Sequence, residues 1–206
     1  MKRLALAFSV LLIVGCSSAP TVSTPENTPD RVVARIDDLS SRPGWLHESE
    51  PFKIESGTVT NLGQTTIPSD HRVEAAYRIA ENSAKAGIAS AIEQRLEFIF
   101  QNAEEGTAIG STQARYIGAE AAKLTTNSLR PGKRYWEKVA TTSDSGNRTT
   151  IYRVFSTVSM PESDFKAAIM DAIRRAQGKG GLSADFAKKV DSHWDQFTNA
   201  NPPAKE

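Results

Sequence analysis

VEAAYRIAENSAKAGIASAIEQRLEFI, Val73 to Ile99, is the stretch that decides the fold, because its apolar residues recur at three- and four-residue steps. This period predicts one long helix, and Ser69 or Asp70 is placed to cap its start. Small residues supply much of the apolar stripe: Ala76, Ala80, Ala84, Gly87 and Ala91. Since small side chains let another element approach closely, the stripe predicts a helix packed against the face of a sheet.

The sheet is predicted by two segments rich in β-branched and aromatic residues, KRYWEKVATT (Lys133 to Thr142) and RTTIYRVFSTVSM (Arg148 to Met160). They flank SDSGN (Ser143 to Asn147), whose residue types favour a turn. The three segments together predict a β-hairpin.

Both faces of the second hairpin strand carry bulky residues. Tyr152, Val154 and Val158 share one face, and Ile151 and Phe155 share the other. One face is expected to meet the long helix, and the other is either core or a contact for another subunit. Aromatic residues are enriched at interface centres, which makes six side chains interface candidates: Tyr135, Trp136, Tyr152, Phe155, Trp194 and Phe197.

Upstream of the long helix the pattern predicts one strand. PGW (Pro43 to Trp45) marks the start of the domain, with Trp45 as an apolar anchor. Phe52 to Thr60 alternates in part and carries strand formers. Asn61 to Ser69 is predicted as a loop, and Arg31 to Leu39 as a short helical or irregular lead-in.

Further helices are predicted around the hairpin. One runs from about Thr112 to Asn127 before it. After it, Ser159 and Glu162 have the spacing of a capping box, with Pro161 in the first turn. The helix that follows ends at GKGG (Gly178 to Gly181). Its predicted buried side comprises Phe165, Ala168, Ile169, Ala172 and Ile173.

Ser183 is placed to cap a last helix. Its apolar stripe comprises Phe186, Val190, Trp194 and Phe197. The predicted class is therefore α+β: a small antiparallel sheet of one N-terminal strand plus a β-hairpin, packed by a long Ala-rich helix, with additional C-terminal helices.

The N-terminus has the layout of a secretory signal, with Lys2 and Arg3 before an apolar run. The run is about ten residues long, whereas a spanning helix needs roughly twenty. It ends in Ile13 to Cys16, which resembles the bacterial lipobox. That resemblance implies acylation of Cys16, the only cysteine in the chain, and Ser17 at the next position implies export to the outer membrane. The alternative is an ordinary signal peptide with a stray cysteine.

The chain divides into four predicted parts. Residues 1–15 are a lipoprotein signal peptide, and residues 16–43 are a lipidated N-terminus and flexible tether. Residues 44–199 form a single α+β lipoprotein domain, and residues 200–206 are a polar tail. Ser17 to Asp30 is rich in proline and hydroxyl residues, and its extended reach is about 45 Å.

Composition excludes several classes of function. The 25 basic and 24 acidic residues nearly balance, so no net field points to nucleic acid. A single cysteine excludes a disulfide framework within the chain.

No motif in the chain predicts catalysis, a cofactor or a metal. The three histidines, His47, His71 and His193, lack metal-ligand spacing, and no Gly-x-Ser-x-Gly elbow occurs. Glu104 and Glu105 are interpreted as solvated charge. One basic cluster is interpreted as a solvated face, with contact to lipid headgroups or peptidoglycan as the alternative: Arg174, Arg175, Lys179, Lys188 and Lys189.

The order of parts resembles the LPP-twenty family of outer-membrane lipoproteins, which includes the flagellar protein FlgP. The resemblance covers roughly Trp45 to Pro161, and its motifs are Trp45, the Ala-rich run through Ala91, Trp136, and Tyr152 with Val154. It implies a non-catalytic, structural role in an outer-membrane ring around the flagellar basal body. The chain departs from the pattern in its C-terminal helices.

Two functions follow as expectations. The first is a non-enzymatic, outer-membrane-anchored structural or assembly subunit of an envelope machine, a flagellar basal-body ring being one form, acting through self-association or partner docking. The second is a periplasmic binding module for peptidoglycan, lipid or a small ligand, which predicts a concave pocket with convergent polar groups. An enzyme, the third possibility, predicts a close cluster of titratable groups with perturbed pKa values.

Overall fold

A computed structural model describes residues 30–46, 50–100, 109–142, 146–179 and 182–200. The five strands are β1 (Arg31–Arg35), β2 (Phe52–Glu55), β3 (Thr58–Pro68), β4 (Arg130–Thr142) and β5 (Arg148–Pro161). The five helices are α1 (Val73–Phe100), α2 (Ser111–Thr125), α3 (Glu162–Gly178), α4 (Phe186–Ser192) and α5 (Trp194–Asn199).

The strands form one antiparallel sheet in the order β1-β4-β5-β3-β2. Helix α1 lies along β3 and β5, and α2 packs between α1 and α3. The main core lies between this helical layer and the sheet, and includes Ile88, Ile92, Phe165 and Phe197. The predicted α+β class is confirmed, with a larger sheet than the sequence pattern indicated.

The predicted strand Phe52 to Thr60 is two strands. The chain reverses at Ser56 and Gly57, which have φ angles of 49° and 73°. Glycine tolerates this left-handed region, so β2 and β3 pair as a tight hairpin.

The loop prediction for Asn61 to Ser69 is wrong, because strand β3 continues to Pro68. Every residue of β3 has a partner on β5. Asn61 reads as a turn residue, yet it is buried, and its side-chain amide donates to the Ala84 carbonyl of α1. A tertiary contact thus overrides the local preference.

The lead-in prediction for Arg31 to Leu39 also fails. Arg31–Arg35 is strand β1, which pairs with β4, and only Ile36–Asp38 forms a helical turn. The sheet therefore begins inside residues 16–43, which the sequence assigned to the tether.

The predicted apolar stripes of the helices are confirmed, and α3 ends at Gly178, the first residue of the predicted GKGG stop, but the predicted caps at the helix starts are not formed. Glu162 begins α3 without a capping box, because Ser159 belongs to β5 and Pro161 precedes the helix. The Glu162 carboxylate instead accepts a 2.7 Å hydrogen bond from Trp194 Nε1. The last predicted helix is two, broken at His193, and no side chain caps the start of α4.

The predicted caps of α1 do not lie at its start, because α1 begins at Val73. The Ser69 hydroxyl instead hydrogen-bonds to the Thr150 hydroxyl of β5 at 2.5 Å.

The small stripe of α1 packs against Gly63 of β3. A Cβ at Gly63 would lie 2.0 Å from the Ala80 carbonyl oxygen and 2.4 Å from the Ala84 nitrogen. Real Cβ atoms do not come this close to backbone, so only glycine allows this helix–sheet distance.

Arg95 on α1 is 5% exposed, and its Nε has no hydrogen-bond partner in the described part of the chain. Its guanidinium lies 4.4 Å from the centre of the Phe52 ring, and burial lowers its pKa. Attraction from Glu50 and the cation–π contact offset only part of the cost of burying this charge, because burial is the larger effect on the pKa.

We expect Arg95→Met to raise the free energy of unfolding by about 1–2 kcal/mol, because methionine fills similar space without a charge. Urea denaturation measures the effect. Arg78→Met, at an exposed position of the same helix, serves as the control and should change stability by less than about 0.5 kcal/mol. If Arg95→Met instead lowered the free energy of unfolding by about 1–2 kcal/mol, the surroundings of the guanidinium would stabilise its charge.

Candidate functional site

The sheet face opposite the helices is partly covered by the chain's own residues 39–46, which we call the crossing segment. Arg42 pairs with Glu137 of β4, and its guanidinium lies 5.8 Å from the centre of the Phe155 ring of β5. Trp45 reaches the β2–β3 side of the same face. The crossing segment thus runs over the sheet from the β1 edge toward the β2 edge.

A buried ion pair holds the crossing segment. The Glu137 side chain is 0% exposed, and Arg42 donates to both of its oxygens, with Nε to Oε2 at 2.9 Å. The Tyr135 hydroxyl donates to Oε2 at 3.3 Å, and Arg153 Nη1 lies 3.9 Å from Oε1. Arg153 also pairs with Asp30 at the start of β1. We call this network the Glu137 clamp.

The clamp favours the charged form of its carboxylate. The hydrogen bond from Arg42 lowers the pKa of Glu137 below its ordinary value of 4.5, and burial opposes it. The same pair raises the pKa of Arg42. A carboxylate already matched by a guanidinium is a structural ion pair and not a poised acid or base.

We expect the clamp to lose stability in acid. Because the folded pKa of Glu137 is depressed, its contribution is complete above the unfolded pKa and is lost as the pH falls through the folded value. Denaturation curves between about pH 5 and pH 3 should therefore show a falling free energy of unfolding, with a shallower fall in Glu137→Gln. Equal slopes in both proteins would contradict this assignment.

Beyond the crossing segment the same face forms an open groove with a volume of 330 Å³. The strand registers arrange its floor in rows. Lys53, Thr60 and Ser159 lie side by side across β2, β3 and β5, and Leu62 and Thr157 form the next row. A site of this volume is at the lower end of the roughly 300–1,000 Å³ typical of small-molecule sites.

The groove has two built walls. Trp45 stands on one side, in the turn Gly44–Leu46, and is half-buried. Gly132 and Lys133 of β4 form the other side, where β4 bulges away from its register with β5. The Thr157 hydroxyl accepts a 2.8 Å hydrogen bond from the Lys133 N–H, which fixes the bulge. Bulges recur beside functional sites.

Four of the six predicted interface side chains are buried within this chain, with relative exposures of 0% for Tyr135, 9% for Phe155, 8% for Trp194 and 0% for Phe197. Arg42 of the crossing segment lies over the Phe155 ring, whose centre is 6.0 Å from that of the Tyr135 ring. Trp194 and Phe197 stack on each other against Phe165. All four are core residues of this chain, which is the alternative that the sequence left open for them, and their interface role stays a prediction.

Trp136 and Tyr152 are only half-buried and lie edge to face, 5.3 Å apart, on the helical side of the sheet. With Tyr77 of α1 they form what we call the aromatic patch. Arg134 lies 5.2 Å from the Tyr77 ring centre, and Lys138 lies 5.7 Å from that of Tyr152. Trp136 and Tyr152 are the two predicted interface residues that stay partly exposed in the described structure.

The structure does not bring the histidines together. His71 is exposed after β3, and His193 lies at the α4–α5 break, where its Nδ1 is 2.9 Å from the Lys189 carbonyl. His47, Cys16, Glu104 and Glu105 lie outside the described residues. Among the described residues, no group of three His, Cys, Asp or Glu side chains is placed to hold a metal.

The predicted basic cluster is largely paired with acids on the same helices. Arg174 and Arg175 reach Asp171 at 3.6 and 3.0 Å, and Lys188 reaches Asp185 at 3.1 Å. This arrangement favours the interpretation as a solvated face.

Sequence reasoning missed the clamp and the groove. Glu137 shares a strand face with Tyr135 and Val139, and a charge between two apolar residues on one face calls for a buried partner. This pattern was sufficient to predict a buried partner for Glu137. No comparable signal marked the groove, because it depends on the β2–β3 turn and on the path of the crossing segment.

No protein-family model, curated protein or solved structure matches the chain. The resemblance to the LPP-twenty family therefore stays a prediction. No helix in the described ranges has the length and apolar character needed to cross a membrane.

Proposed function

We propose that the protein is an outer-membrane-anchored lipoprotein that acts without catalysis, by binding a component of the cell envelope in the groove. The groove is the observation that carries this proposal, because it is a concave site with polar groups converging from β2, β3, β4 and β5. The lipobox-like motif ending at Cys16 supports the anchor, and the domain is proposed to face the periplasm.

The proposed mechanism is capture close to the membrane. Acyl chains on Cys16 would confine the domain to a layer within reach of its tether, which raises its effective concentration for weak ligands. The Glu137 clamp fixes the crossing segment to the sheet, so any pull along the tether is carried by β1 and the clamp while Trp45 keeps its place beside the groove.

The second candidate is the assembly subunit of an envelope machine, including the flagellar ring that the family resemblance implies. The aromatic patch favours it, since half-exposed aromatic residues next to Arg134 are of the types enriched at interface centres. The other four candidate residues are buried within the chain, so the exposed surface available for assembly is smaller than the sequence predicted.

In-cell crosslinking of the tagged full-length lipoprotein, with Cys16→Ala as the matched control, tests the proposal. We expect acylated chains to fractionate with the outer membrane and to form adducts with envelope material, and Cys16→Ala to lose both. Homo-oligomers that disappear in Trp136→Ala would favour the assembly subunit instead. Equal fractionation of both chains would contradict the anchor.

A further inference from the structure

We infer that the groove is a carbohydrate-binding site for the glycan of the cell envelope, with Trp45 as the surface on which a sugar ring stacks. The inference rests on the proposed function, because it names the ligand of the same groove. It follows from the groove's hydrogen-bonding groups, its charge and the position of its single aromatic wall.

The floor presents hydroxyl groups that the protein itself does not use. Thr58, Thr60 and Ser159 point to the helix-free face, as the alternation along β3 and β5 requires. Their hydroxyls are not hydrogen-bonded to another protein group in the described part of the chain. A hydroxyl both donates and accepts, so a row of them suits a ligand that is itself rich in hydroxyls.

The backbone of β3, in the floor of the groove, already pairs with the neighbouring strands. Strands β3 and β5 are internal to the sheet, and every residue of β3 has a partner on β5. A peptide strand therefore cannot pair with β3 or β5, and a strand added at the β2 edge would extend the plane of the sheet beside the groove instead of filling it. Recognition has to run through side chains, which favours a ring-shaped ligand over an extended peptide.

The charges around the groove balance. Lys53 and Lys133 are offset by Glu50 and Glu55, and Lys53 pairs with Glu55 at 3.2 Å. A site for phosphate or nucleic acid would carry an excess of positive charge. An acyl chain would cover the hydroxyl groups of Thr58, Thr60 and Ser159 without offering them a hydrogen-bond partner, which costs free energy for each. A hydroxyl-rich ligand with a low density of charge fits both observations.

Trp45 supplies the apolar contact. One side of a sugar ring carries C–H groups, which pack on an aromatic face, while its hydroxyls remain free for the threonine and serine row. Trp45 lies three residues after Arg42, so the Glu137 clamp holds it beside the floor without contacting the ligand.

Co-sedimentation and tryptophan fluorescence of the full-length protein in detergent micelles test the inference. The probes are intact cell-wall sacculi, glycan strands stripped of their peptides, the isolated stem peptide, and lipopolysaccharide polysaccharide freed of lipid. We expect binding to peptide-free glycan and not to the stem peptide, and the two polysaccharides distinguish the source of the glycan.

Trp45→Ala should weaken glycan binding about tenfold, the scale of losing an aromatic anchor. Trp136→Ala, which removes a tryptophan on the other face, should leave it unchanged. Because Trp45→Ala also removes packing, Thr60→Val is a second variant that keeps the shape and removes one hydroxyl, and it should weaken binding several-fold.

Binding to the stem peptide alone, or glycan binding that neither Trp45→Ala nor Thr60→Val changes, would overturn the carbohydrate assignment. Groove-specific adducts with a protein in cells, without glycan binding, would also overturn it while leaving the proposed function in place. Absence of any ligand or adduct at the groove would remove both.

Discussion

Gly63→Ala is expected to lower the free energy of unfolding by about 3 kcal/mol or more, and Gly63→Val to prevent folding. The added Cβ meets the Ala80 carbonyl at 2.0 Å, and both contacting atoms nearest to it are helix backbone. Relief requires α1 to move away from β3, which opens the small-residue seam along its length. The entropy that alanine saves in the unfolded chain, about 0.4–1 kcal/mol, is too small to offset this cost.

Chemical denaturation measures the effect, and Gly178→Ala is the matched control. A Cβ at Gly178, the last residue of α3, meets nothing within 4 Å. We expect that variant to be as stable as the wild type or slightly more stable. If Gly63→Ala unfolded at the same denaturant concentration as Gly178→Ala, the close approach of α1 to β3 would be wrong.

Glu137→Ala is the second large effect, with an expected loss of about 2–3 kcal/mol. Removing one partner of a buried ion pair costs about 3–5 kcal/mol when the other charge stays buried. Arg42 keeps 36% of its side chain exposed, so water partly solvates it and the cost falls below that range. Release of the crossing segment should also make residues 39–46 more susceptible to proteolysis.

A double-mutant cycle with Arg42→Met isolates the pair, since the Glu137→Ala loss should shrink when Arg42 is already absent. Glu55→Ala is the control, because Glu55 pairs with Lys53 but is 69% exposed, and exposed pairs contribute at most about 1 kcal/mol. Additive losses in the Glu137–Arg42 cycle would show that the two side chains do not act together.

The helical layer could be predicted from sequence because its signal is local. The stripe of α1 repeats over many turns, and the buried side chains of α3, α4 and α5 are those that the pattern indicated. The hairpin β4–β5 was predictable for the same reason, since its turn and both strands adjoin in the chain.

The full extent of the sheet was not predictable, because parts of its strands form through distant partners. Asn61 lies in β3 because its amide finds the Ala84 carbonyl on α1, and β1 forms because β4 offers an open edge. The predicted capping box does not form for a related reason, because Ser159 is part of β5 and pairs with Thr60 of β3.

The candidate site was not predicted for similar reasons, because its residues also come together through distant partners. Trp45 reads as an apolar anchor in sequence, yet the Glu137 clamp directs its segment across the sheet, where the side chain stays half-exposed beside the groove. Tyr135 and Phe155 have the residue types of an interface and are buried, with Arg42 of that segment over the Phe155 ring. Composition therefore selected side chains that are core in this chain, and it did not select those that line the groove.

Site-specific photo-crosslinking in cells tests most directly whether the groove is the working surface. A photoreactive residue is placed at Thr58 in the groove, at Lys138 beside the aromatic patch, and at Ile79, an exposed position on α1. We expect adducts with envelope material from position 58, few from 138 or 79, and loss of the position 58 adducts in Glu137→Ala. Adducts between copies of the chain from position 138, with none from position 58, would contradict the account.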